Sequence, residues 1–272
     1  MGFCRIWASV VLLALAAACA TSPTGRRQVM LVSPDVAIAE SAIAYVDTVR
    51  ELEEDSKLLD DAVLAGRVAE VTGRVIAEAV ALYPHTAAWQ WSVALIDDLE
   101  SVNAWCMAGG RMAVYSGLFE RLALTDDEFA QIIGHEASHA IANHTAERMS
   151  IVLLTQLGLS VIRADAEEDN PSALSVAGLA AKLAIELPNS RSAESEADRM
   201  GMELAARAGY DPEAAVSVWR KMEALSESRP PQFLSSHPSP ADRRAQLAAL
   251  VEEMRPLAPT APPEPHPIEI VN

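Results

Sequence analysis

Two histidines four residues apart flank a glutamate in His135-Glu136-Ala137-Ser138-His139. On a helix, positions i and i+4 lie on one face about one turn apart, so both imidazoles can reach a single tetrahedral zinc ion. Glu136, about 100 degrees around the axis, falls beside the metal rather than on it, where it can act as a general base toward water. A catalytic zinc also needs a third protein ligand and an open position. Glu194-Ser195-Glu196-Ala197-Asp198, which begins 55 residues after His139, offers three carboxylates. Glu194 and Asp198 share a face, and Gly201 continues it with room for a close helix neighbour. Glu194 can then bind the metal while Asp198 accepts a hydrogen bond from a ligand histidine and fixes its tautomer. Spacing alone does not choose between Glu194 and Glu196 as the ligand; Glu196 points elsewhere and reads as a solvated charge. His144, about 140 degrees from His139 on a continuous helix, reads as structural.

These residues need helices to present them. Thr125-Asp126-Asp127-Glu128 has the capping-box form and predicts a helix through about Arg148 that carries the histidines. Helical periodicity also runs over 36–53, 58–82, 151–163, 174–186, 192–208, 212–226 and 240–254. Between Pro84 and Thr125 the texture changes. Trp89 to Ile96 alternates by twos, and Asn103–Met107 and Arg111–Tyr115 flank Gly109-Gly110, a hairpin-type break. The expected fold is α+β and mainly helical, with a small antiparallel sheet beside the metal-binding helix.

Composition bounds the remaining possibilities. The 272 residues carry a formal net charge of −17, which leaves no basic footprint for nucleic acid, and 50% hydrophobic residues, which is enough for one sizeable core. Three cysteines, at 4, 19 and 106, cannot build a disulfide scaffold. Residues 1–18 read as a signal peptide, with Arg5 before an apolar run that ends in Ala16-Ala17-Ala18. Cys19 then stands where a bacterial lipoprotein is lipidated. Residues 19–34 become a lipidated linker, residues 35–255 the folded domain, and residues 256–272, with six prolines, a disordered tail. Cys106 remains as a buried thiol. The apolar stretches 151–162 and 173–187 are too short to span a bilayer, and the 151–190 insertion is expected to gate the site.

Four motifs occur in order: Asn103-Ala104-Trp105-Cys106-Met107-Ala108-Gly109-Gly110, the HExxH string, the ExxAD of Glu194 to Asp198, and Ser236-His237-Pro238-Ser239-Pro240-Ala241-Asp242-Arg243. Together they resemble the HtpX and CaaX-prenyl-protease-type-1 family of zinc metallopeptidases, and within it the periplasmic lipoprotein members. The resemblance covers about residues 35 to 255 and implies a zincin-like fold with one zinc ion per chain. It implies that His135, His139 and Glu194 are ligands, Glu136 the general base and Asp198 the residue that orients a ligand histidine. It further implies that Asn103 and Ala104 pair with an extended peptide, that His237 stabilises an oxyanion, and that Arg243 supports the site or faces substrate. Trp105 and Cys106 depart from the aromatic and aliphatic residues usual there, as Asn189 departs from a common tyrosine.

The leading expectation is therefore a zinc metalloendopeptidase acting on unfolded or misassembled envelope proteins. It would be lipid-anchored in the periplasm, at the outer rather than the inner membrane, because Ala20 is not the aspartate that retains lipoproteins at the inner membrane of enteric bacteria. The rival is a chaperone-like or scaffold lipoprotein whose zinc is structural. Oligomeric state is open.

Overall fold

The computed structural model describes residues 19–162, 188–226, 231–238 and 242–272. The expected signal peptide, the helix expected at 174–186 and most of the 151–190 gate lie outside them. The described residues open with a hairpin, β1 (Cys19–Thr21) and β2 (Arg27–Val29). Two long helices follow, α1 (Pro34–Glu54) and α2 (Ala62–Leu82), capped by the Ser33 and Asp61 side chains. Next come β3 (Ser92–Ile96), β4 (Ala104–Cys106), β5 (Arg111–Tyr115) and the short α3 (Ser116–Leu122). The remainder is α4 (Asp126–Ile141), α5 (His144–Ile162), α6 (Arg191–Arg207), α7 (Glu213–Ser226), α8 (Phe233–Ser236), α9 (Arg243–Met254) and β6 (Glu269–Val271). No helix among the described residues is long and apolar enough to cross a membrane.

The described residues are mainly helical, and apart from the β1–β2 hairpin they form one four-stranded sheet that is mixed rather than antiparallel. Its order is β4-β5-β3-β6; the β4–β5 hairpin is antiparallel, whereas β3 runs parallel to both β5 and β6. Both faces are buried. Val93 and Leu95 of β3 pack into the larger core with α2 and α4, while Ala94 and Ile96 pack into a second core with Ala37, Ala44 and Tyr45 of α1. Period-two geometry sends alternate side chains to opposite cores, and Val93 to Ile96 are all apolar and all buried. β4, at one end, has no sheet neighbour on its outer side among the described residues.

Two expectations about the ends are corrected. The proline-rich segment 256–272 is not a loose tail, because it lies along α2, where His266 N–H donates to the Gly73 carbonyl (2.9 Å), and ends as β6 in the sheet. Gly73 makes this approach feasible, since a Cβ there would meet the His266 carbonyl oxygen at 2.7 Å. Proline forbids a helix here but not an extended path with apolar anchors such as Ile268 and Ile270. The 19–34 segment is likewise no free linker: its hairpin packs on α5, with Gln28 donating to the Ala142 carbonyl at 2.7 Å.

The capping box opens α4 as the sequence indicates. Thr125 Oγ1 accepts from Glu128 N–H at 3.2 Å, and Glu128 Oε2 accepts from Thr125 N–H at 2.8 Å. Thr125→Ala is expected to lower stability by about 1 kcal/mol, read from a urea midpoint at unchanged slope. α4 stops at Ile141 instead of reaching Arg148. Asn143 adopts φ +58°, a left-handed conformation that asparagine tolerates, and α5 leaves in a new direction.

Candidate metal centre

α4 and α6 cross with almost no side chain between them. A Cβ at Gly134 would meet the Gly201 carbonyl oxygen at 2.5 Å, and one at Gly201 would meet His135 N at 2.6 Å. This approach brings the HExxH face of α4 onto the Glu194 face of α6. Gly201→Val is expected to cost about 3 kcal/mol or more, and to weaken metal binding because the displaced backbone is that of His135. Chemical denaturation of the metal-free and zinc-loaded forms measures both effects.

Four side chains converge there. Among the described residues, His135, His139, Glu194 and His237 place one ligand atom each within 4.8 Å of one another, and all four are buried. His135 Nε2 and His139 Nε2 lie 3.0 Å apart, and Glu194 presents Oε2 to the first and Oε1 to the second at 3.4 Å. His237 Nδ1 lies 3.1 Å from both His135 Nε2 and Glu194 Oε1. A single proton cannot satisfy so many lone pairs aimed at one point, whereas a cation can. Two imidazoles and a carboxylate are also a catalytic zinc donor set. The residues therefore fit zinc.

The surroundings hold the ligands in place. Asp198 Oδ1 sits 3.0 Å from His135 Nδ1, on the far side of the ring from the centre. Arg243 donates to Asp198 through Nε (2.7 Å) and Nη2 (2.6 Å), and to Glu194 Oε2 through Nη1 (3.0 Å), with its guanidinium 3.8 Å from the centre of the Trp219 ring. Burial alone would raise the Asp198 pKa, but Arg243 and His135 outweigh it and hold Asp198 below the usual carboxylate range. At 1% exposure, Arg243 cannot face substrate as the sequence allowed; it clamps two carboxylates from behind. Glu196 is also corrected. Instead of a solvated charge it is buried, and it accepts hydrogen bonds from Ser22, Thr24 and Arg26 of the N-terminal hairpin.

On the open side, Glu136 is buried, and burial pushes its carboxyl above the ordinary range. Its Oε1 lies 3.3 Å from His237 Nε2 without hydrogen-bond geometry. His237 is stacked on Phe233 with ring centres 4.2 Å apart, so its position is fixed. Its ring presents Nδ1 to the metal cluster and Nε2 to the Glu136 side, which suits it either to ligate or to donate to an oxyanion. A cleft of about 440 Å³ joins Glu136, His139 and His237 to Asn103, Trp105 and Cys106. Asn103 Oδ1 is buried in it without a partner, Ala104 begins the open edge strand, and Cys106 is a buried free thiol.

Sequence reasoning missed Phe233 and the packing of Trp219 on Arg243. Phe233 lies four residues before His237, which is a usable signal; nothing local marks Trp219.

A protein-family model, that of peptidase family M48, matches residues 63–251. The mitochondrial metalloendopeptidase OMA1 of Arabidopsis thaliana is 32% identical over 77% of this chain and 41% of the relative. The human mitochondrial metalloendopeptidase OMA1 is 30% identical over 85% of this chain and 45% of the relative. The beta-barrel assembly-enhancing protease of Escherichia coli K12 is 28% identical over 77% of this chain and 43% of the relative. The chain thus spans less than half the length of these curated relatives.

Proposed function

The chain belongs to peptidase family M48, and from that premise we propose that it is a zinc metalloendopeptidase hydrolysing unfolded or misassembled cell-envelope proteins. The observation that carries the reading is the convergence of His135, His139 and Glu194 on one buried point beside the edge of β4 that is unpaired among the described residues. A zinc ion held by His135, His139 and Glu194 would supply Lewis acidity there, which would make water a competent nucleophile near neutral pH. Glu136 takes the proton from the attacking water and returns it to the leaving nitrogen, and its raised pKa suits both transfers. His237 Nε2 is the donor for the developing oxyanion, worth roughly 3 kcal/mol in the transition state. The Ala104 backbone and the unpaired Asn103 oxygen bind the substrate as an added strand, a mode that selects extended rather than folded chain. Asp198 and Arg243 keep His135 and Glu194 in register.

The envelope assignment is supported by Cys19 in its lipoprotein context and by a relative named for enhancing β-barrel assembly. In the proposed setting, lipid on Cys19 tethers the enzyme in the periplasm, at the outer membrane. Chelation is expected to stop digestion of casein and zinc readdition to restore it. Protection of casein from aggregation without any fragments would favour the chaperone-like alternative.

A further inference from the structure

The hairpin β1–β2 lies outside the residues matched to the family, yet it reaches the metal cluster through an unbroken chain of contacts. Arg26 Nε donates to Glu196 Oε2 at 2.5 Å, and its Nη1 and Nη2 hold Glu147 at 3.0 and 2.6 Å. Ser22 and Thr24 hydroxyls donate to Glu196 Oε1. Glu196 Oε2 lies 3.0 Å from His144 Nε2, and His144 Nδ1 lies 2.7 Å from His139 Nδ1. All four of His139, His144, Glu196 and Ser22 are buried.

With both imidazoles neutral, the chemistry of these groups permits one arrangement of protons. A carboxylate paired with a guanidinium only accepts, so His144 must carry its proton on Nε2. Its Nδ1 is then a bare lone pair, which at 2.7 Å requires the proton on His139 Nδ1. His139 Nε2 is left bare, and that is the atom aimed into the cluster, 3.4 Å from Glu194 Oε1. Each link sets the tautomer of the next. The break at Asn143 serves this geometry, because a continuous helix would turn His144 away from His139.

We propose that Arg26, Glu196 and His144 form a positioning relay that fixes the tautomer and ring orientation of His139, making the N-terminal hairpin part of the metal site. The relay rests on the reading of a zinc centre but not on the identity of the substrate. Glu196 and His144 are positioning residues, not catalytic ones, since they act only through His139. The hairpin also begins at Cys19, so the segment next to the proposed lipid anchor is the one that completes the metal site.

Zinc affinity of the full chain, measured by competition with a chromogenic chelator, is expected to fall about 10–100-fold in both His144→Ala and Glu196→Ala. Arg26→Gln, which leaves the two imidazoles in place, is expected to give a smaller loss. Imidazole 15N shifts of the wild-type chain should show His139 protonated on Nδ1 and His144 on Nε2. Affinity within about twofold of wild type in both alanine variants overturns the relay, because a purely structural role would lower stability alone. So does a His144 proton found on Nδ1, a reading that needs no variant and decides the matter if a variant fails to fold. The endopeptidase proposal fails separately, on casein digestion, and neither readout depends on it.

Discussion

Glu136→Gln is expected to leave zinc binding intact and to reduce casein cleavage by about 10²–10⁴-fold. Glutamine has the same shape, and Glu136 is 2% exposed, so the substitution disturbs packing little. The amide cannot accept the proton that the carboxylate takes, and the other two carboxylates of the site are engaged: Glu194 is committed to the ligand cluster and Asp198 to Arg243. The loss should fall on kcat with KM nearly unchanged, because the missing step is made only in the transition state. Activity within about tenfold of wild type would move the base role elsewhere, and His237 Nε2, 3.3 Å from Glu136, is the nearest group that could take it.

Arg243→Met is expected to be the most destabilising substitution in the site, costing about 3–5 kcal/mol in the metal-free chain. The guanidinium makes three hydrogen bonds to two buried carboxylates, and its removal strips Asp198 and Glu194 of those donors and leaves His135 as the remaining positive partner between them. Methionine replaces volume, so the loss reports charge rather than a cavity. Arg243→Lys should recover only part of it, because an ammonium cannot make the fork to Asp198 and the bond to Glu194 together. The penalty should shrink when zinc is bound, since the metal neutralises Glu194. Urea unfolding of both forms reads these differences, and a loss below about 1 kcal/mol in the metal-free chain would show that the clamp contributes little.

The chemistry was legible in the sequence because it is written locally. The capping box, the i and i+4 histidines and the Glu194-to-Asp198 spacing each lie within a turn or two of one helix, and the structure places those residues together. Features set by distant partners were not legible. Glu196 is unremarkable on its own helix; Ser22, Thr24 and Arg26, distant in sequence, and His144 explain its burial. Ala140 to Thr145 contains neither glycine nor proline and reads as continuous helix, although asparagine at 143 is a tolerated left-handed stop. The direction of β3 was likewise hidden. Alternation marks a strand without giving its direction, and the parallel partner β6 lies beyond a proline-rich stretch whose composition suggested disorder.

The central claim is that one ion held by His135, His139 and Glu194 drives hydrolysis by this chain. Stripping the purified protein of metal and titrating zinc back while following casein fragments tests it most directly. Cleavage should rise with added zinc and level off at one equivalent per chain in the wild type, while Glu136→Gln binds the same equivalent and stays inactive. Zinc bound at one per chain with no fragments from the wild type, or fragments that form equally well in the stripped protein, would contradict it.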